Sequence, residues 1–177
     1  MKLFIAIILI FQTSIMSAQN TANPTLKSIL LAQLKSTHNV KDWFVPADSA
    51  VAGITAEQAM WQDKSGNHSI GQLANHLIFW DLQSLAKFKG EKPAAFNGNN
   101  DETFSNKFDA ASWKATVKKL DEVLTDLEKV IEAADDNKLK TWYSTIAHIS
   151  AHNAYHIGQM IYIRKLQGSW DPEKGVK

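Results

Sequence analysis

The stretch Ile146-Ala-His-Ile-Ser-Ala-His-Asn-Ala-Tyr-His-Ile-Gly-Gln159 contains three of the six histidines in the chain. These are His148, His152 and His156, each four residues after the one before. Residues four apart are neighbours on one face of an α-helix, with about 5–6 Å between their Cβ atoms. The spacing therefore predicts a helix that carries imidazoles side by side, and such a face needs other helices to cover it.

The composition is that of a single globular domain, with 177 residues, 45% of them hydrophobic and 21% charged. Cysteine is absent. This excludes disulfides, thiolate nucleophiles and sulfur ligands, so a transition metal would have to bind through histidine or carboxylate. Nineteen basic residues stand against 18 acidic ones. A surface for nucleic acid needs a basic excess, so we predict no nucleic-acid partner.

The start of the chain has the three parts of a secretory signal peptide. Lys2 gives a positive start, residues 3–11 are all apolar, and residues 12–20 are mostly small or polar. Nine apolar residues are too few to span about 30 Å of hydrocarbon as a helix, so we expect no stable membrane anchor. The sequence predicts a signal peptide over residues 1–19, a mature domain over residues 20–177, and export to the periplasm or the medium.

Two amphipathic segments come first in the mature chain. Apolar residues at helical spacing predict a helix over residues 24–44, which Pro46 would stop. The second helix is expected over residues 70–88. Its start has the capping-box spacing Ser-x-x-Gln at Ser69, and Gly90 has the position of a helix-ending glycine.

Two further segments are longer. The third helix is expected from Asp109 or Ser112 to Ala134, with apolar residues every three or four positions, as in helices that pack in bundles. The fourth is expected to begin within residues 139–144, to carry the three histidines quoted above, and to end at Gln167. Since no segment has the alternation of a strand, we predict an all-α fold, a four-helix bundle.

One more histidine lies on a different predicted helix. His76 lies on the predicted inward face of the second helix, where an unpaired imidazole would be costly. Bundles build metal sites from side chains on facing helices. His76, His152 and His156 could form a three-histidine site with one open position, which suits zinc, nickel, iron or copper. Spacing alone leaves open the alternative that each is a hydrogen-bonded core histidine.

Other histidine motifs fit less well. A zincin needs glutamate directly after its first histidine, but Asn153 follows His152. Di-iron bundles use Glu-x-x-His pairs, and the sequence contains none. Ligation of haem by two histidines remains open. We interpret His38 and His68 as surface or loop residues.

Two motifs taken together resemble those of the DinB/YfiT-like family. The first is Ser69-Ile-Gly-Gln-Leu-Ala-Asn-His-Leu-Ile-Phe-Trp80, and the second is His152-Asn-Ala-Tyr-His-Ile-Gly-Gln159 with Arg164 and Gly168 after it. The resemblance extends over nearly the whole mature chain. Many members of that family are cytoplasmic, whereas this chain has a predicted signal peptide.

The resemblance implies a four-helix bundle, often dimeric, in which three histidines hold one divalent metal such as zinc, nickel, iron or manganese. Carried over position by position, the ligands are His76, His152 and His156, and His148 has a supporting or packing role. Some members resemble metal-dependent hydrolases or thiol S-transferases. We therefore expect a homodimer that acts on a small molecule. The alternative is a non-catalytic metal-binding or dimeric interaction protein of the cell envelope.

Side chains around this predicted site can be suggested but not placed. Gln159 lies on the same helix face as the ligands and could support one of them, and Trp80 and Tyr155 could form walls of a pocket. The sequence does not identify a general base. The acidic residues Glu57, Asp63 and Asp81 are near His76 along the chain.

Overall fold

The computed structural model describes residues 23–105 and 107–176, and within these ranges the protein is helical, with no strand. Two long helices, α4 (Ile70–Lys89) and α6 (Asp136–Leu166), pack against each other, and α1 (Leu26–His38) and α5 (Ala110–Ala133) complete the bundle. α4 contacts α5 and α6, and α1 contacts the same two helices, so α1 and α4 lie at opposite corners. The predicted all-α bundle is confirmed. Two short helices, α2 (Ala47–Val51) and α3 (Ala56–Met60), lie between α1 and α4 along the chain.

The predicted signal peptide, residues 1–19, lies outside the described residues, and it stays a prediction together with the domain boundary at residue 20. Among the helices of the described ranges, none combines the length and the apolar character that a bilayer crossing requires.

The start and end of α4 follow the sequence prediction. The Ser69 hydroxyl accepts a hydrogen bond from the Gln72 N–H, and the Gln72 side chain accepts one from the Ser69 N–H. Gly90 ends the helix in the left-handed conformation, at φ +79°. These local signals set the register of α4, and the register decides that His76 points into the bundle.

Helix α1 is shorter than predicted at both ends. Its N-cap is Thr25, whose hydroxyl accepts a hydrogen bond from the Ser28 N–H, and it ends at His38, six residues before Phe44. Val40 has helical spacing, but its side chain is 47% exposed. An extension of the helix there would gain no packing, and packing supplies most of the stability of helices in proteins.

The prediction that His38 is a surface or loop residue is wrong. His38 is the last residue of α1 and is only 1% exposed. Its Nδ1–H donates to Glu128 Oε1 at 2.7 Å, and its Nε2–H donates to Asp121 Oδ1 at 2.9 Å. Burial opposes the charge, but the two hydrogen bonds and the nearby carboxylates raise the pKa of His38 above its ordinary value. His38 is therefore an imidazolium that ties α1 to α5.

Replacing His38 by glutamine should remove one pH-dependent part of the stability. Because the folded pKa is raised above the unfolded value of about 6.5, the contribution of His38 is complete below that pH and is lost as the pH rises through the folded pKa. The free energy of unfolding of the wild type minus that of His38→Gln should therefore decrease with pH, by at most about 1.4 kcal/mol per unit.

Urea unfolding at a series of pH values measures this difference. The exposed His148 gives a matched control, because His148→Gln makes the same substitution at a surface position away from Asp121 and Glu128. A wild-type minus His38→Gln difference that stays constant through neutral and alkaline pH would contradict the imidazolium assignment.

Candidate metal centre

The three predicted ligands come together between α4 and α6. His76 lies on α4, and His152 and His156 lie on adjacent turns of α6. The Nε2 atoms of His76 and His152 are 3.1 Å apart, and one ring nitrogen from each of the three histidines lies within 4.8 Å of the others. His76 and His156 are buried, and His152 is half-buried. The structure thus brings His76 together with two side chains that lie 76 and 80 residues further along the chain.

The tautomer of His76 follows from its hydrogen bonds. The Thr103 hydroxyl donates its single proton to the carbonyl oxygen of Asn100 at 2.7 Å. Thr103 Oγ1, 2.6 Å from His76 Nδ1, must then accept from that nitrogen. The proton of His76 is therefore on Nδ1, and Nε2 presents a lone pair towards His152.

The tautomer of His156 is set in the same way. Its Nδ1–H donates to Gln159 Oε1 at 2.7 Å, because an amide oxygen can only accept. This leaves the lone pair on Nε2. Partners of this kind, which hold the second ring nitrogen, are typical of histidines that bind metals. Gln159 lies where the sequence predicted a supporting residue.

All three imidazoles are held neutral. Burial, and then repulsion from His156 and His152, lower the pKa of His76 to about 3. Burial also lowers the pKa of His152 and of His156. Neutral histidine is the form that coordinates metals. The cluster therefore offers a metal its lone pairs without first losing protons at neutral pH.

The donor set fits a divalent transition metal. With metal–nitrogen bonds of about 2.1 Å, two neighbouring ligand nitrogens lie roughly 3.0 to 3.4 Å apart. The 3.1 Å between the Nε2 atoms of His76 and His152 falls in this range. Three imidazoles also leave at least one coordination position open. The cluster can therefore hold a metal, and imidazole chemistry alone does not select among zinc, nickel and iron.

Two aromatic rings form a stack on one face of the His76 imidazole. Phe104 lies parallel to His76, with 4.0 Å between ring centroids, and His68 lies on the other face of Phe104 at 3.8 Å. His68 is an exposed loop residue, as predicted, but it is only one ring away from the cluster. Phe104 and Thr103 were missed by sequence reasoning, because both lie in a long polar connection that carries no pattern.

A cavity of about 440 Å³ adjoins the cluster. Two larger grooves, of about 800 and 720 Å³, lie elsewhere and contact none of the three histidines. Trp80, a predicted wall, does line the smaller cavity, and its Nε1–H donates to Asn100 Oδ1 at 3.2 Å. The lining residues are His76, Trp80, Asp81, Ser84, Asn100, Thr145, His148, Ile149 and His152.

The other residues suggested by the sequence differ in their position relative to the histidine cluster and the cavity. His148 is exposed, lies outside the three-nitrogen cluster and lines the cavity. Tyr155 is 64% exposed and contacts the edge of His156, but it is not a wall of the cavity. Of the acidic candidates, Asp81 alone lines the cavity. Asp63 is hydrogen-bonded within its own loop, and Glu57 is exposed on α3.

The fold and the cluster together define a helical-bundle protein with a candidate metal site built on facing helices. The model of the DinB superfamily matches residues 47–160, a segment that contains all three clustered histidines. The chain belongs to the DinB superfamily, and the resemblance seen in the sequence motifs is confirmed. Comparisons with curated proteins and with solved structures gave no match.

Proposed function

We propose that this protein is an exported metal-dependent enzyme, which binds one divalent transition metal through His76, His152 and His156 and hydrolyses a small molecule in the adjoining cavity. The observation that supports this best is the convergence of three neutral imidazoles beside that cavity. A metal with three histidine ligands and an open position lowers the pKa of bound water and polarises a carbonyl group.

The residues around the cluster have roles that suit this chemistry. Thr103 and Gln159 hold the protons on the outer ring nitrogens, so that the inner nitrogens face one point. The ring of Trp80 and the side chain of Ile149 give the cavity an apolar wall that would exclude part of the water. Its volume suits a ligand of modest size, since small-molecule pockets measure about 300–1,000 Å³.

Hydrolysis is the reaction that we favour over thiol transfer. The predicted signal peptide would take the protein away from the cytoplasm, where low-molecular-weight thiols are mainly found. Water is the nucleophile available in every compartment. We also propose that the protein is exported, as the predicted signal peptide indicates, and that it forms the homodimer that the family resemblance implies. The mature N-terminus, measured by mass spectrometry, and the mass in solution test them.

Elemental analysis of the purified protein tests the metal site directly. We expect close to one transition-metal ion per chain in the wild type and almost none in His156→Ala, because two imidazoles bind a divalent metal much more weakly than three. The matched control is His148→Ala, which removes a histidine of the same helix that lies outside the cluster. Full metal content in His156→Ala would contradict the three-ligand site.

The catalytic part is tested separately on the zinc- and manganese-loaded proteins. A panel of small esters and amides should include at least one compound whose turnover depends on His152. Metal binding with no turnover that is sensitive to His152→Ala would favour the non-catalytic alternative, a metal-binding protein of the cell envelope.

A further inference from the structure

A single carboxyl group lies in the wall of the cavity beside the histidine cluster. Asp81 is on α4, five residues after His76, and its side chain is almost fully enclosed, with 1% of the residue exposed. Its one hydrogen-bond partner among the described residues is neutral, since Asn153 Nδ2 donates to Asp81 Oδ2 at 3.2 Å. No lysine or arginine of the described ranges forms an ion pair with it.

A carboxyl in this environment is costly for the fold. An enclosed carboxylate normally needs a cation or several donors, and here one amide is available. Burial raises the pKa of Asp81 to about 8, and the hydrogen bond from Asn153 offsets this only in part. At neutral pH the group is therefore mainly a neutral carboxylic acid. A leucine or an asparagine would fill the same space at lower cost, so stability does not explain an aspartate here.

The charge state of Asp81 would change if a cation were bound at the histidine cluster. The titratable side chains that share its cavity are His76 on its own helix and His148 and His152 on α6. The 3-10 helix Asn100–Thr103 contributes only the neutral Asn100 to the cavity. A divalent ion at the histidine cluster would be the largest charge near the cavity, and a nearby positive charge favours the carboxylate.

We propose that Asp81 is the proton-transfer residue of the cavity. This rests on the proposed hydrolytic function. The oxygen of a water molecule forms a bond to the carbonyl carbon of a small ester or amide, and the proton of that water moves to the Asp81 carboxylate. When the bond from carbon to the leaving group breaks, Asp81 returns the proton to the leaving group. One water is consumed, nothing is oxidised or reduced, and Asp81 ends as it began.

The geometry supports this role over a purely structural one. Asp81 and two of the three histidines line the same cavity, so a molecule held there can contact both. Asn153 orients the carboxyl from α6 and is itself fully buried, directly after His152 in the chain. The carboxyl, the amide and the cluster are therefore fixed relative to one another by the packing of α4 against α6. General acid–base groups need such fixed positions.

Infrared spectroscopy of the purified mature protein before and after addition of zinc chloride tests this role without any substrate. At mildly acidic pH we expect the wild type to lose the C=O band of one protonated carboxyl per zinc bound and to gain carboxylate bands. Asp81→Asn should bind zinc without this change. Asp126→Asn, which makes the same substitution at an exposed position of α5, should behave as the wild type does.

Zinc content measured on the same samples separates the two proposals. A wild type that binds no zinc contradicts the proposed function. Bound zinc with a protonated-carboxyl band that persists, or with the same spectral change in Asp81→Asn, contradicts the role of Asp81 alone. With an ester that the wild type hydrolyses, Asp81→Asn should lower kcat by about 10²- to 10⁴-fold and remove one limb of the pH profile. A kcat and a pH profile equal to those of the wild type would also overturn the proposal.

Discussion

Replacing Arg164 by alanine should lower the free energy of unfolding by about 3–5 kcal/mol, because several backbone carbonyls would each lose a donor at a cost of about 1–3 kcal/mol. Arg164 is only 3% exposed and lies in the last turns of α6. Its Nη1 donates to the carbonyl oxygens of Ser49, Ala50 and Ala52, each at 3.0 Å, and its Nη2 donates to that of Ser169 at 2.8 Å.

The physical reason is that Arg164 pairs with backbone carbonyl groups at the end of α2. This helix has only five residues, and its last carbonyl groups have no partner within the helix. The guanidinium supplies donors to three backbone oxygens at or near that end and also holds the chain after α6. Without it, the buried carbonyl of Ala50 and the partly buried carbonyls of Ser49 and Ala52 would lose their donor, which is more costly than the loss of the hydrogen bonds themselves.

Chemical denaturation of Arg164→Ala, with Lys165→Ala as the matched control, measures this effect. Lys165 is the exposed neighbour on the same helix, so its loss should change stability little. Arg164→Lys should be intermediate or close to alanine, because a single ammonium group cannot reproduce the fork of donors. A stability change below about 1 kcal/mol for Arg164→Ala would show that water replaces these donors without cost.

Zinc should raise the free energy of unfolding of the wild type by about 4 kcal/mol when its free concentration is about 1,000 times the dissociation constant. For a chain of this length that corresponds to an increase in Tm of roughly 8–16 °C. Only the folded chain brings the three imidazoles together, so metal that binds them stabilises the folded state. A chelator should reverse the increase, and His76→Ala should lose most of it.

The increase in Tm caused by zinc should depend on pH, and the lowered pKa values of the three histidines fix the direction of this dependence. Protons compete with metal for imidazole nitrogens, and a histidine of ordinary pKa near 6.5 becomes protonated below that pH. The pKa of His76 is about 3, and those of His152 and His156 are also lowered by burial. Zinc should therefore still raise the Tm somewhat below pH 6.5.

Thermal unfolding with and without zinc at a series of pH values checks both parts. His148→Ala is again the control, because it lies outside the cluster and should retain the full shift. Zinc stabilisation of equal size in the wild type and His76→Ala would place the metal elsewhere. A candidate would then be the group of His38, Asp48 and Asp121, although both nitrogens of His38 are already engaged by carboxylates.

Several features of this protein could be predicted from the sequence because they depend on local spacing. The capping box at Ser69 and the glycine at position 90 define α4 and therefore the direction of His76. The interval of four between His152 and His156 places them on adjacent turns of one helix wherever that helix packs. The helical period of the four long segments, with no strand pattern, is enough for the fold class.

Other features depend on contacts between residues far apart in the chain, and local spacing carries no signal for these. His38, the last residue of α1, hydrogen-bonds to two carboxylates of α5 that lie 83 and 90 residues further along the chain. Thr103 and Phe104 lie in a connection without periodicity, yet they set the tautomer and the packing of His76. Asp81 and Asp63 have the same side chain and differ only in their surroundings, since Asp81 lies in the cavity wall and Asp63 in an exposed loop.

The sequence by itself therefore determined the helical class, the register of α4 and α6, and the three histidines that face inward. The tertiary structure alone decided that their nitrogens meet beside a cavity, that the outer nitrogens of His76 and His156 have partners, and that one carboxyl lies enclosed in the cavity wall. The physical reason is that a helical face is coded by neighbours three or four residues apart, whereas a site is made where faces from distant segments pack together.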